Sequence, residues 1–233
     1  MELKDATILI TGGTLGIGYE TARLLIDSGA RVAITGRDSG RVESAAEELG
    51  ALGIVADVAK VEDVDRTYDR FLGEFGRLDC LINNAGIGRS RKVEELTVED
   101  FQEIYAVNVF GAAMMASRAA VLFREQGSGN IVNISSTAGT KGYPGGSIYA
   151  SSKFALRGMT QCWQAELRPH NVRVFLINPS EVTTAFGNPE REERPDEPNK
   201  LRGQEIAQAI KGALEMDDRG FIPELTVWAT NPF

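Results

Sequence analysis

Seven short apolar runs, rich in β-branched residues, punctuate the chain. They read ATILIT (6–11), RVAIT (31–35), ALGIVA (51–56), LDCLIN (78–83), NIVNIS (130–135), VRVFLIN (172–178) and FIPELTV (221–227). Stretches of helical period separate them, at roughly 16–28, 39–49, 61–75, 98–125, 148–168 and 203–216. Strands that are apolar at consecutive positions must be covered on both faces, and parallel strands need long crossovers, usually helical. The alternation therefore predicts an α/β fold, a doubly wound sheet of seven parallel strands with helices on both faces. No composition break divides the chain, so residues 1–233 are expected to form a single domain. Only GNPEREERPDEPNK (187–200) departs from the rhythm, with three prolines and eight charged residues. Such a composition cannot build a core. It predicts a mobile loop near 184–202, either a solvated excursion or a lid, since it follows the sixth strand at the end where such sheets bind ligands.

The bulk numbers exclude several classes of function. A net charge of −8 and a pI near 4.9 argue against nucleic acid or an anionic membrane as partner. The two cysteines, Cys80 and Cys162, lie in apolar settings and the single histidine, His170, stands alone. Neither a disulfide framework nor a metal site is expected, and both cysteines read as small buried hydrophobes. No uninterrupted apolar run approaches the ~18 residues of a membrane helix. The start, MELKDATILITGG, enters a strand directly with no signal peptide, so a cytoplasmic protein is expected.

Glycine stands out, with 25 residues, about 11% against a usual ~7%. Several fall where backbone must approach something closely. The first strand runs into T11-G-G-T-L-G-I-G18 and then a helix. Gly12, Thr14, Leu15, Gly16, Ile17 and Gly18 thus form a turn whose amides, aided by the helix dipole, can cradle a pyrophosphate. The end of the second strand selects the nucleotide. Where an acid would hold a ribose 2′-hydroxyl, this chain has Gly36 and then Arg37, a planar cation suited to a 2′-phosphate. NADP(H) is the expected cofactor, with NAD(H) possible.

In SIYASSKFALRG (147–158), Tyr149 and Lys153 lie four residues apart, on one helix face. Such a pair is a weak signal alone. Its context is stronger: T11GGTLGIG18, A56-D57-V58, N83-N84-A85-G86, Asn108 in VNVFG, I134-S135-S136 and Y149ASSK153 follow in order. With these motifs the chain resembles the short-chain dehydrogenases/reductases, in the single-domain branch of about 250 residues. The resemblance covers nearly the whole length and implies a Rossmann-type sheet and an NAD(P)-dependent oxidoreductase acting on CH–OH or C=O groups. It implies a catalytic set of Asn108, Ser136, Tyr149 and Lys153. In it the tyrosine is acid and base, the lysine favours the phenolate and holds the nicotinamide ribose, and the serine binds the substrate oxygen. Asn108 corresponds to the asparagine that distorts its helix and holds a relay water. Asp57 and Val58 correspond to adenine contacts. Asn84, Ala85 and Gly86 correspond to a turn supporting the adenosine ribose, with Asn83 read as structural. Pro179, Val182 and Thr184 correspond to nicotinamide contacts. A homodimer or homotetramer is implied, with Trp163 and Trp228 in elements that often build such contacts, though core packing is an equal reading.

The departures are informative. Ser180 replaces the usual glycine after Pro179, which leaves the local turn open. The C-terminus, FIPELTVWATNPF, lacks the Asp-Gly-Gly of many 3-oxoacyl-[acyl-carrier-protein] reductases. Asn130 and His170 stand where those enzymes tend to carry bases for an acidic carrier. The leading expectation is therefore reduction of a small ketone or aldehyde by NADPH, or oxidation of the matching alcohol. The alternatives are a carrier-protein reductase and a non-catalytic NADP(H)-binding sensor. Arg89, Arg91 and Lys92 could meet an anionic substrate or form a solvated loop. The pocket is expected between 138–148 and the 184–202 loop, with Thr140, Tyr143, Pro144 and Phe186 as walls.

Overall fold

Each apolar run becomes a strand and each periodic stretch a helix. The computed structural model of the chain describes residues 1–188, 192, 194–195 and 197–231. In order, the elements are β1 (Thr7–Ile10), α1 (Gly16–Asp27), β2 (Arg31–Gly36), α2 (Ser39–Leu49), β3 (Leu52–Val55), α3 (Val61–Phe75) and β4 (Cys80–Asn83). They continue with α4 (Val98–Tyr105), α5 (Ala112–Gln126), β5 (Gly129–Ile134), α6 (Ser147–Leu167), β6 (Val172–Pro179), α7 (Gly203–Glu215) and β7 (Glu224–Val227). A π-helical turn, Ala106–Gly111, joins α4 to α5.

The strands form one sheet in the order β3-β2-β1-β4-β5-β6-β7. Every pairing is parallel. The chain builds outward from β1 to β3, then crosses back to β4 and builds the other way. Loops leaving β1 and β4 therefore diverge, and a crevice opens at the carboxyl ends of the central strands. Ile10 of β1 pairs level with Ile34 of β2 and Ile82 of β4, so the loops that follow start from one height.

The helices divide between the faces. Ala22 and Leu25 of α1, Ala45 and Leu49 of α2, and Ile206, Ile210 and Leu214 of α7 pack with Ile8, Ile10, Ile34 and Ile82 on one side. Val64, Tyr68 and Phe71 of α3, Met115, Ala119 and Phe123 of α5 and Leu167 of α6 pack with Leu9, Leu81 and Val174 on the other. Alternate strand residues thus feed opposite cores, which is why the strands read as unbroken apolar runs.

Three expectations need correction or division. Cys80 is buried in β4, but Cys162 is exposed on α6. The neighbouring Trp163 is the residue that packs against the core, and on a helix the next position points about 100° away. The run Val98–Gln126 is long and apolar enough, by length and composition, to cross a membrane. Met115, Ala116, Ala119 and Phe123 of that run are committed to the core. Of the loop near 184–202, residues 189–191, 193 and 196 lie outside the described residues.

Candidate active site

β1 ends at Ile10, and the chain turns through Thr11 to Leu15 into α1. Gly12 holds a φ of +64°, and a Cβ there would lie 2.9 Å from Cα of Ala85. A side chain would be both strained and obstructed. Leu15, extended at the N-cap, places no side-chain acceptor on the first turn of α1, and that turn holds no acid. The positive end of the helix dipole borders the cleft, where it favours an anion.

This turn is clamped from across the crevice. The Asn84 side-chain amide donates to the carbonyls of Thr11 (3.0 Å) and Gly12 (2.8 Å). In return Thr11 Oγ1 accepts the backbone amides of Asn84 and Ala85, each at 3.0 Å. Thr11 was not among the expected site residues, although its place directly before the glycines was the available signal. Asn83 is structural, as expected: its amide donates to Asn133 Oδ1 (3.0 Å) and Ala112 O (3.2 Å).

At the other nucleotide end, Arg37 follows β2 and stands exposed. Asp38 next to it is committed as the N-cap of α2, accepting the Arg41 amide at 2.8 Å. Arg41 lines the same end of the cleft, a second cation that the sequence reading had not singled out. Asp57 and Val58 follow β3. Asp57 Oδ1 accepts from Ala59 N (3.0 Å) and its own amide donates to Asp63 (2.9 Å), which fixes the loop beside the cleft.

The expected catalytic residues converge at the opposite end. Asn108 sits within the π-helical turn, so the helix distortion is present. Its side chain is fully used: Oδ1 accepts Ile87 N (2.9 Å), while Nδ2 donates to Ile87 O (2.9 Å) and Ser152 Oγ (3.1 Å). It latches the loop after β4 to α6. Ser136 follows β5 and accepts the Ala138 amide at 3.1 Å. Burial pushes the Tyr149 phenol upward, and a hydrogen bond with Ser136 partly offsets this. Lys153, one turn on, donates to Ile134 O at 2.9 Å and stands 5.7 Å from the Tyr149 ring centre. Burial pushes the Lys153 ammonium down to about 8.

Most of these parts border one cleft of about 1040 Å³. It is lined by Ser136, Tyr149, Lys153 and every expected cofactor residue except Gly18. Gly18 and Asn108 lie behind the wall, the first packed on the glycine turn and the second on Ile87. Pro179, Val182 and Thr184 line the cleft as expected, with Thr184 against Gly16. Ser180 closes the turn onto β7 through Val227 O (2.9 Å), resolving the geometry left open by the missing glycine. Thr140, Tyr143 and Phe186 are walls, whereas Pro144 is not. Trp228 does not pack into the core: it is 66% exposed and lines the cleft.

Two surface readings change. Arg89 pairs with Asp100 and with Glu103 (2.7 Å), and Arg91 Nε lies 3.1 Å from Asp100 Oδ2. These arginines are no open anion site: from an exposed loop they clamp the first turn of α4. Asn130 is buried at the amino end of β5, bonded to Arg173 (2.8 Å), away from the strand ends that carry the cleft. It offers no docking surface within this chain. Among the described residues no cluster of His, Cys, Asp or Glu could hold a metal.

Residues 6–195 match the family model of the short chain dehydrogenases. An uncharacterized oxidoreductase of Staphylococcus aureus is 32% identical over 228 residues, 97% of each chain. An alcohol dehydrogenase from the archaeon Thermococcus sibiricus, solved with 5-hydroxy-NADP, is 30% identical with a TM-score of 0.88 over 97% of each chain. A 3-ketoacyl-(acyl-carrier-protein) reductase from Brucella melitensis, solved with NADH, is 28% identical with a TM-score of 0.89, covering 99% of this chain and all of that one. With the sheet order, the glycine turn and the matched length in agreement, the chain belongs to the short-chain dehydrogenases/reductases and is an NAD(P)-dependent oxidoreductase.

Proposed function

We propose that the protein reduces a ketone or aldehyde with NADPH, using Tyr149 as the proton donor. The observation that carries this reading is the meeting of Ser136, Tyr149 and Lys153 at one end of a cleft that runs past the glycine turn to Arg37. The residues fit a nicotinamide dinucleotide. Gly12, Thr14, Leu15, Gly16 and Ile17 would hold the pyrophosphate, Asp57, Val58 and the Asn84–Gly86 turn the adenosine, and Pro179, Val182 and Thr184 the nicotinamide. When bound, that group supplies the hydride.

The chain's own residues handle the oxygen. Ser136 hydrogen-bonds the carbonyl and holds it toward Tyr149. Tyr149, kept protonated by burial, gives its proton as negative charge develops on that oxygen. The phenolate left behind needs a nearby cation, and Lys153 provides it. A phenol held neutral suits the reductive direction.

The protonation of Lys153 sets a pH limit. Its ammonium is present below about 8 and lost above. Tyr149, pushed the other way, stays protonated throughout that range. Reduction kcat/KM should therefore be flat through neutrality and fall about tenfold per unit above pH ~8. Initial rates from pH 6 to 10 test this. A profile flat to pH 10 would show that the lysine charge is not required.

NADP preference rests on Arg37, supported by Arg41 at the same end and by the commitment of Asp38 to its helix cap. Arg37→Ala is expected to weaken NADPH binding by about 10- to 100-fold, the loss of a charge-assisted bond, with NADH changed by less than about threefold. Fluorescence titration of both cofactors measures it. Tighter NADH in the parent protein would sink the assignment.

A carrier-protein thioester is the second reading, favoured by the likeness to the Brucella structure and opposed by the acidic surface charge. A panel of carbonyls including acyl thioesters separates the two. Turnover of thioesters alone would favour the carrier reading, and bound cofactor without turnover a sensor.

A further inference from the structure

The substrate end of the cleft carries three large aromatic residues that the core has not absorbed. Phe186 is 44% exposed, Tyr143 47% and Trp228 66%, and all three line the cleft. Two of the rings are seated on glycines in the loops that flank Tyr149. A Cβ on Gly88 would lie 2.8 Å from Phe186 Cε1 and 3.0 Å from Cζ. A Cβ on Gly146 would lie 2.6 Å from Tyr143 Cε1 and 2.7 Å from Cζ. Both rings rest where any other residue would push them away. Phe186 also leans on the reacting phenol, its ring centre 5.5 Å from that of Tyr149 at an interplanar angle of 55°.

Among the described residues, charge on this side is largely neutralised from within. Arg194 and Lys200 pair with Glu181 at 3.1 and 2.7 Å. Arg89 and Arg91 are held by Asp100. Apart from the buried Lys153, Lys141 is the exception, an exposed cation in the lining with no ion pair among the described residues. Beside Tyr149 the described lining offers three aromatic faces among small and hydroxyl residues such as Thr137 and Thr140, and those faces favour flat apolar partners through stacking and through the area removed from water.

We propose that the substrate is an uncharged aryl ketone or aldehyde, its ring received by Phe186 and Tyr143 with Trp228 at the mouth, and that Gly88 sets the position of the Phe186 wall. The proposal rests on the carbonyl-reducing reading given above. It assigns Phe186 to substrate selection, with Gly88 as the residue that positions it.

The test compares acetophenone with 2-butanone, using NADPH and the full chain. The aryl ketone is expected to have a kcat/KM about 100-fold higher. In Phe186→Ala the aryl-to-alkyl ratio should collapse about tenfold or more. Gly88→Ala should lower the same ratio by displacing the ring, and NADPH titration reports whether each variant is folded. A second readout does not need turnover: acetophenone added to the NADP⁺ complex should quench tryptophan fluorescence, and Trp228→Phe should abolish most of that quenching. Alkyl ketones reduced as well as aryl ones would overturn the proposal and leave the reductase reading standing. Strong preference for benzoylformate over acetophenone would overturn the uncharged class and point to Lys141. Trp228-dependent binding without any turnover would uphold the aryl site and overturn the reductase reading, while absence of quenching would overturn the site.

Discussion

Tyr149→Phe is expected to lower kcat for carbonyl reduction by about three orders of magnitude, at the scale of a lost general acid. The substitution removes one oxygen and keeps the ring. Contact with Phe186 should persist, since it is a tilted ring-to-ring contact at a 5.5 Å centroid distance that does not use the hydroxyl. The hydrogen bond with Ser136 disappears. Helix α6 has no reason to move, because its buried Ile148, Ala150, Ser152 and Lys153 are unchanged. NADPH affinity should fall by no more than about tenfold, the worth of one hydrogen bond. Single-turnover loss of nicotinamide absorbance separates the chemical step from binding. Turnover within tenfold of the parent would mean that the proton comes from elsewhere, and the assignment of Tyr149 would be abandoned.

Gly18→Ala should disable the protein at its other end. The new Cβ would meet both Asn84 Nδ2 and the Gly12 carbonyl at 2.4 Å and Gly13 Cα at 3.0 Å. Two of these obstacles are backbone, so no rotamer change relieves them. The third is the amide that holds Thr11 and Gly12 in place. Relaxation must open the glycine turn. Overpacking of this kind costs about 1–3 kcal/mol, and in a chain of this length that lowers Tm by about 2–12 °C. Cofactor affinity should fall about 100-fold or more, because the displaced amides are those that would face the pyrophosphate. Titration with NADPH and a thermal melt read both effects. Gly73→Ala in α3 is the control: nothing lies within 4 Å of its Cβ position, so it should add about 0.5–1 kcal/mol of stability and leave cofactor binding alone. Unchanged binding in Gly18→Ala would show that the turn tolerates what its geometry forbids.

Much of this was legible without coordinates, and the legible parts share a property. The strands, the glycine turn and the Tyr149–Lys153 pair are written in neighbouring residues, where period and spacing reveal them. Features that depend on distant parts meeting were not legible. Nothing around Phe186 says that its ring rests on Gly88, nearly a hundred positions earlier. Asp100 gives no local sign that it gathers Arg89 and Arg91. Cys162 looked buried because its apolar neighbour was read without the helical rotation between them. Asn130 was compared by position with docking residues, yet its place at the amino end of β5 follows only from sheet topology. Asn108 was found by its motif, but that both ends of its amide are spent on Ile87 required the fold.

The clamp between Asn84 and the glycine turn has a consequence in time. The carbonyls of Thr11 and Gly12 are held by a residue 73 and 72 positions later in the chain. β1 also has β4 as one of its two neighbours, so that side of the turn is empty until β4 arrives. A ribosome that has released only the β1–β3 segment has made a glycine loop with neither its brace nor the far wall of its crevice. The brace of the glycine turn is thus acquired in one event, when the fourth strand docks beside the first, while Pro179, Val182 and Thr184 are still to be made. A nascent chain should carry no cofactor before that moment, and the nucleotide would then reward long-range pairing instead of guiding its start.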